Sequence, residues 1–379
     1  MLPAGVLLLL FLTYPLGLGT WLGFTDTKPY RDRLRKAIAS TGIRAVACPM
    51  MRQAVWYTKN GHTVEYAWDE KAGEKAFEAS MKILDEAARH PSGRVSGMVG
   101  PAQFDTCGEG FFKDALQEAK RRGLPMQTHA CQAVVEFHEM VRRHGKTPVE
   151  WLEAIGVLGP DLIIGHGIFL NDHPQIHYPH ANDFERLRDS GASVAHCPTV
   201  FARRGMVMNS IGRYMKAGIT VGVGTDTFPH NMLDEIRLVC YLARVFTGNY
   251  KMGTTRHAFE SATVGGAKML RRPDLGRLSP GAKADFSLVD MGHPYMQPAH
   301  EPVRSLIYSA SAGRIVLGGE DLTGLAADRV VSRGIGRTFQ NIELFEGASV
   351  LDNLMLMMRR HEKDFMARVD PKYGDEKSR

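Results

Sequence analysis

Along the middle of the chain, short runs of apolar and β-branched residues alternate with stretches of helical periodicity. The runs are IRAVACPMM, VSGMVGPAQ, LPMQTHACQ, LIIGHGIFL, SVAHCPT and TVGVGTDT, each closing on polar residues. Between them, EKAFEASMKILDEAARH, FFKDALQEAKRRG, QAVVEFHEMVRRHG and DFERLRDSG place apolar side chains at i, i+3, i+4 and i+7. The last three stop on a glycine, the usual helix terminator. A strand-then-helix unit repeated in this way predicts a parallel sheet with helices outside it.

The polar residues at four of the strand ends are His129, His166, His196 and Asp226, separated by 37, 30 and 30 residues. A TIM barrel spreads about 250 residues over eight βα units, roughly 31 per unit. Residues one unit apart at the C-terminal ends of strands converge on one mouth of such a barrel, where its chemistry is placed. A doubly wound open sheet competes with this reading, but no G-x-G-x-x-G follows a strand to support it. Six strands are legible where a closed barrel takes eight, and the shortfall lies on the N-terminal side. The predicted fold class is α/β, an incomplete (β/α)8 TIM-type barrel lacking its first strands.

The two ends differ from this middle. Residues 1–25 carry no charged side chain, and VLLLLFLTYPLGLGTWLGF approaches the roughly 20 apolar residues that a bilayer crossing takes. The segment reads as a membrane anchor, which Lys28, Arg31, Arg33, Arg35 and Lys36 would hold with the body on the cytoplasmic side. A buried apolar segment of the main domain is the alternative. The wording MLPAGVLLLLFLTYPLGLGTWLGFTDT resembles the first membrane helix of a sugar ABC-transporter permease. At the other end, GRIVLGGEDLTGLAADRVVSRGIGRTFQNIELFEGASVLDNLMLMMRR resembles part of a branched-chain amino-acid ABC-transporter ATPase. That resemblance places Gln340 in the loop that approaches the nucleotide magnesium. No G-x-x-x-x-G-K-[ST] loop occurs, so no ATP hydrolysis is expected of this piece. The implied division is 1–25 membrane-like, 26–312 barrel, 313–366 ATPase-like and 367–379 a disordered tail.

Composition narrows the function classes. Apolar residues at 44% and charged residues at 23% exclude wholesale disorder. The formal net charge of +6 is scattered along helical stretches, so nucleic acid is not an expected partner. Five cysteines at no repeating spacing exclude a disulfide scaffold and suit a reducing compartment. The body is expected in the cytoplasm, and homo-oligomerisation is left open.

Two imidazoles and a carboxylate at one mouth suit zinc or iron, and a bound divalent ion lowers the pKa of its water towards about 7. From about residue 26 to 311 the chain resembles the amidohydrolase superfamily, in its cytosine-deaminase and chlorohydrolase branch. The strings that carry this are MQTHACQ, IIGHGIFL, SVAHCPT, TVGVGTDTFPHNMLDEIRL and DLGRLSPGAKADFSLVDM. The resemblance implies one divalent metal, zinc or iron. It makes His129 a metal ligand, His166 the group that polarises the substrate or ligates the metal, and Asp226 a ligand that also shuttles the proton. His196 is expected to touch the substrate. The GRLSPGAKADFSLVD string resembles returning strands of the small flanking domain, which adds remnants of a small β-sandwich to the expected fold.

Two departures bear on activity. The family opens its site with an H-x-H pair, and none occurs in this chain. Three residues after the fifth-strand histidine, deaminases place a glutamate that protonates the substrate ring; here the position is Gln132, which donates a hydrogen bond but carries no proton. His173, His177 and His180 form a second cluster on a proline-punctuated loop, read as solvated or substrate-facing. Arg203 and Arg204 are either receivers of an anionic substrate or a solvated pair. The expected function is metal-dependent hydrolysis of a C–N or C–Cl bond in a small nitrogen heterocycle, weakened by the missing pair. The alternative is a mis-joined or inactive chain with no enzymatic role.

Overall fold

The computed structural model describes residues 44–227, 231–285, 287–289, 291, 296 and 300–310, with the strand pieces 5–6, 316–317 and 320–321. In chain order the strands are β1 (Gly5–Val6), β2 (Ala45–Ala47), β3 (Met50–Met51), β4 (Ala54–Tyr57), β5 (Glu65–Trp68), β6 (Val95–Gly97) and β7 (Gly100–Pro101). They continue as β8 (Met126–Ala130), β9 (Leu162–His166), β10 (Ser193–His196), β11 (Val221–Val223), β12 (Ser287–Leu288), β13 (Val316–Leu317) and β14 (Glu320–Asp321). The helices are α1 (Glu70–Ala88), α2 (Glu109–Arg122), α3 (Val134–His144), α4 (Pro148–Ala154), α5 (Asp183–Ser190) and α6 (Pro198–Ala202). After them come α7 (Ile211–Lys216), α8 (Met232–Thr247), α9 (Thr255–Glu260), α10 (Gly266–Met269) and α11 (Pro302–Ser309).

All six strand-forming runs are strands, and they lie side by side in sequence order. β8, β9, β10 and β11 form one parallel sheet. Parallel bridges Val99↔Met126 and Gln103↔His129 join the preceding run to β8. That run, β6 and β7, is itself parallel to β2 and β3. Six parallel staves with helices between them make an α/β fold, a partial (β/α)8 barrel with small sheet remnants. Every residue of β9 is buried, as a strand covered on both faces must be. The predicted helices end where glycine permits a left-handed residue: Gly123, Gly145 and Gly191 have φ of 64°, 62° and 76°. On the outer layer, the Trp151 ring of α4 meets Phe112 of α2 edge to face at 5.7 Å.

The chain divides into two compact units, Met1–Ser311 and Ala312–Arg379, and the barrel belongs to the first. The described part of the second unit is the antiparallel pair β13 and β14. Gln340 and the tail 367–379 lie outside the described residues.

The membrane anchoring expected of residues 1–25 is corrected. Among the described residues no helix is long and apolar enough to cross a membrane. The described residues of that segment, Gly5 and Val6, are extended and pair antiparallel with Leu288 and Ser287. A spanning helix satisfies each backbone group within itself, whereas here these groups bond to a second strand of the same unit. That partner strand comes from the SLVD string assigned above to the small β-domain.

Two elements had no counterpart in the sequence reading. The first is the hairpin β4–β5, which follows the C-terminal end of β3 and whose turn is held by Asn60 Oδ1 accepting from the His62 and Thr63 N–H groups. The second is a π-helical turn, Ser261–Gly265, that packs on β11 between α9 and α10. A Cβ on Gly265 would stand 2.3 Å from the Val221 carbonyl oxygen. Alanine normally stabilises a helical position relative to glycine by up to about 1 kcal/mol. Here Gly265→Ala should instead cost about 2–3 kcal/mol through overpacking, seen as a lower urea midpoint. A midpoint that is unchanged or raised would show that the turn does not press on β11.

Candidate functional site

His129 is the fourth residue of β8, and its Nδ1 lies 2.5 Å from the Ala102 carbonyl oxygen. A carbonyl only accepts, so Nδ1 donates to it and Nε2 is the ring nitrogen left for other partners. Its neighbour in register on β9 is Gly165. With no side chain there, the His129 ring stacks on His166 with centroids 5.1 Å apart and planes inclined by 12°.

His166 ends β9 with φ of +93°, a conformation that β-carbon-bearing residues adopt at a cost of about 1–3 kcal/mol. The ring is buried, and Phe201 of α6 meets it edge to face at 4.3 Å. Its Nε2 is 3.9 Å from Asp226 Oδ2, too far for a hydrogen bond. Its Nδ1 is buried and has no partner among the described residues. Burial, with the fields of His129, His196 and Arg204, holds its pKa well below the ordinary histidine value. The ring is neutral at pH 7.

His196 ends β10, one stave over. It too is buried with Nδ1 unpartnered among the described residues, and burial lowers its pKa to about 4. Asp226 follows β11 by three residues with φ of +56°. Burial raises its carboxyl pKa, while His129, Arg204 and Arg203 pull it back down. The structure therefore brings His129, His166 and Asp226 together, with His196 beside them. Gln132 sits on the turn after β8, where its backbone N–H donates to Glu136 Oε2 at 2.8 Å. Among the described residues it makes no hydrogen bond to the other four.

Two buried carboxylates that the sequence reading passed over hold these loops. Glu136 accepts from both Gln132 and Ala133 N–H groups, and burial raises its pKa well above the usual range. It is half of a capping box whose other half is missing, because the N-cap is Ala133 instead of serine or threonine. Glu235 accepts from the Thr199 N–H at 3.0 Å, three residues past His196, and burial raises its pKa to about 7. The loop reading of His173 is corrected in part: that residue is buried. Its Nε2 donates to the Val207 carbonyl at 2.9 Å and its Nδ1 accepts from the Gln175 N–H at 3.2 Å, so it braces the loop. His177 and His180 are not buried.

The donor chemistry suits a borderline divalent ion: the His129 imidazole, the His166 imidazole held neutral by burial, and the Asp226 carboxylate. The count falls short. Among the described residues no group of three or more His, Cys, Asp or Glu side chains is set to hold a metal ion.

A sequence profile of the amidohydrolase family matches residues 14–335. The chain belongs to the amidohydrolase family. Among its relatives, a 5'-deoxyadenosine deaminase of Methanosarcina acetivorans is 30% identical over 76% of this amidohydrolase and 62% of the relative. A 5-methylthioadenosine/S-adenosylhomocysteine deaminase of Halobacterium salinarum is 31% identical over 62% of this chain and 53% of its own. The amidohydrolase thus spans roughly three-fifths of the length of such relatives. In fold it is similar to an adenosine deaminase of Xanthomonas campestris with bound zinc, at TM-score 0.62 and 20% identity, covering 79% of this chain and 66% of that one. It is also similar to an atrazine chlorohydrolase of Arthrobacter aurescens complexed with zinc, at TM-score 0.64 and 23% identity, covering 81% and 68%.

These matches correct the transporter resemblances at the two ends. The amidohydrolase match begins within the permease-like wording and runs on into the ATPase-like segment, and nothing supports either transporter piece. Short apolar or glycine-rich strings are common to many folds, and a match of that length carries little specificity.

The His196 pKa makes a signed prediction. A histidine neutral down to about pH 4 in the fold but protonated near 6.5 when unfolded costs nothing above pH 6.5, and progressively destabilises the fold as the pH falls towards 4. Glu235 works the other way, because its raised pKa adds stability as the pH falls through 7. His196→Gln isolates the first effect. Between pH 7.5 and 4 the variant should lose about 2–3 kcal/mol less than the wild type in urea unfolding; equal losses would mean that His196 titrates normally.

Proposed function

We propose that this chain is a metal-dependent hydrolase of the amidohydrolase type, acting on the C–N or C–Cl bond of a small nitrogen heterocycle. The observation that carries the reading is the meeting of His129, His166 and Asp226 at the C-terminal ends of neighbouring parallel strands. Barrels of this class keep their chemistry at that face. The names of the relatives support the substrate class, since deaminases and a chlorohydrolase both act on such rings.

On this reading His129 and Asp226 hold one divalent ion, zinc or iron, which when bound supplies hydroxide at neutral pH. The remaining roles belong to the chain itself. His166, neutral through burial, stands over the reacting carbon and polarises the substrate through a ring nitrogen. Asp226 takes the proton of the attacking water and returns it to the leaving group, a task for which a raised carboxyl pKa is suited. Gln132 hydrogen-bonds the substrate ring nitrogen without protonating it, which favours a leaving group that needs little protonation. His196 touches the substrate ring from the next stave. The five cysteines, all free and buried, fit a cytoplasmic setting. A second reading, a chain with no enzymatic role, draws on the missing H-x-H pair and the shortage of described donors.

Metal uptake separates the two. After dialysis against zinc and removal of excess, the chain should retain close to one equivalent, and Asp226→Asn or His129→Ala should retain less than a tenth of that. The wild type should also release chloride or ammonia from a halogenated or amino-substituted heterocycle, with Asp226→Asn slower by at least about 100-fold, the scale of a lost general acid–base group. Retention indistinguishable from the two variants would sink the metal-dependent reading.

A further inference from the structure

The short helix α10 ends in a turn closed by two bonds, from the Arg271 N–H to the Lys268 carbonyl at 3.0 Å and from the Arg272 N–H to the Ala267 carbonyl at 2.9 Å. Arg271 makes this turn with φ of +57°, at a place where helices normally put glycine. From there its Nη2 donates to the Pro160 carbonyl at 3.2 Å and to Asp161. Asp161 directly precedes β9, so the turn stands at the N-terminal ends of the strands, opposite His166. The segment that follows is pressed against α10 and the π-turn. A Cβ on Gly276 would stand 2.8 Å from the Thr263 carbonyl oxygen, and Leu275 is buried against Ala267. These walls enclose a cavity of about 400 Å³, a size at which small-molecule sites occur. Ala267, Pro273 and Leu275 give it an apolar floor. Lys268, Arg271, Arg272 and Arg277 give it a cationic rim. Two of the four are matched, Arg271 by Asp161 and Arg272 by both carboxylate oxygens of Asp274 at 2.7 Å. Lys268 and Arg277 are exposed, and neither joins an ion pair among the described residues. Arg277 donates to Ser279 Oγ at 3.2 Å.

We propose that this cavity binds a phosphate monoester with a compact apolar body. Two unmatched cations balance a dianion, the form a monoester takes above its second pKa of about 6. A carboxylate would leave one of them unmatched. Arg277 offers a planar fork to two phosphate oxygens, and Lys268 a point charge to the third. The apolar floor receives the body of the ester, which inorganic phosphate lacks. Barrel chemistry belongs to the opposite face, so this cavity is a site of binding alone, whether or not the chain is a hydrolase.

The test titrates the full chain by calorimetry at about pH 8, where the monoester is a dianion, with phenyl phosphate, inorganic phosphate and benzoate. Phenyl phosphate should bind at least about tenfold more tightly than either of the others. The double variant Lys268→Gln/Arg277→Gln, whose replaced side chains are exposed, should bind it at least about tenfold more weakly. Lys113→Gln/Arg188→Gln removes the same two charges from α2 and α5, where Glu109 and Asp189 pair with them, and should stay within about twofold of the wild type. Absence of phenyl phosphate binding overturns the site, and so does binding that survives in the first double variant or falls equally in both. Inorganic phosphate binding as tightly overturns the apolar body, and benzoate binding as tightly overturns the dianion.

Discussion

The site depends on one constraint, the lateral register of β8, β9, β10 and β11. In that register His129 faces Gly165, Ala195 also faces Gly165, and His196 faces Val223. Gly165 is therefore the shared neighbour of two staves. A Cβ there would stand 3.1 Å from His129 Cδ2 and 3.2 Å from the Thr128 carbonyl oxygen. Its emptiness lets the His129 ring lean across β9 and stack on His166. The same register pairs His166 with Ala130, so strict alternation would turn the two rings to opposite faces; His166 departs from it at the end of β9, where its φ is +93°. The convergence is thus a property of hydrogen-bonded backbone first, and of the histidines second.

What could be read from the sequence followed from periodicity over long stretches. The six staves, the helices between them and the residues at the strand ends were visible because a βα unit repeats at nearly constant length. The hairpin β4–β5 carried a signal that went unused: Asn60–Gly61 between the alternating stretches AVWY and EYAW. The π-turn carried none, since Ser261–Gly265 differs from an ordinary helix only through its packing on β11. Glu136 was hidden for a chemical reason, because a capping box is recognised by its serine or threonine and this one has alanine. The apolar run in residues 1–25 shows the limit of hydropathy. Length and apolarity suit a membrane helix and a buried segment alike, and only the pairing of Gly5–Val6 with Ser287–Leu288 distinguishes them at that point.

Local rules are broken where the candidate residues stand. Among the five described non-glycine residues at positive φ are Cys131, His166 and Asp226, each at or just beyond a strand end on the same face. Such residues persist only where the surroundings over-determine them. The Cys131 carbonyl accepts from both Ile168 and Phe169 N–H groups, which ties the turn after β8 to the loop after His166. Glu136 holds the same turn from the other side, and Glu235 does the equivalent for the loop after His196. The sheet, the two carboxylates and the strained residues therefore form one supporting layer beneath the imidazoles.

That layer also sets the electrostatics on which the proposed chemistry would run. Burial holds His166 and His196 uncharged, and Nδ1 of each has no partner among the described residues. A buried donor or acceptor left unmatched costs roughly 1–3 kcal/mol, and substrate that supplies the missing partner would recover it on binding. Burial likewise raises the Asp226 carboxyl pKa, with His129, Arg204 and Arg203 opposing the rise, so the carboxyl holds a proton more readily than an exposed one. With Gln132 unable to carry one, a single carboxyl would have to serve both the water and the leaving group. A departing chloride takes no proton and relieves Asp226 of the second task; a departing amine does not. If the proposed reading holds, this asymmetry tilts the site towards displacement of weakly basic leaving groups.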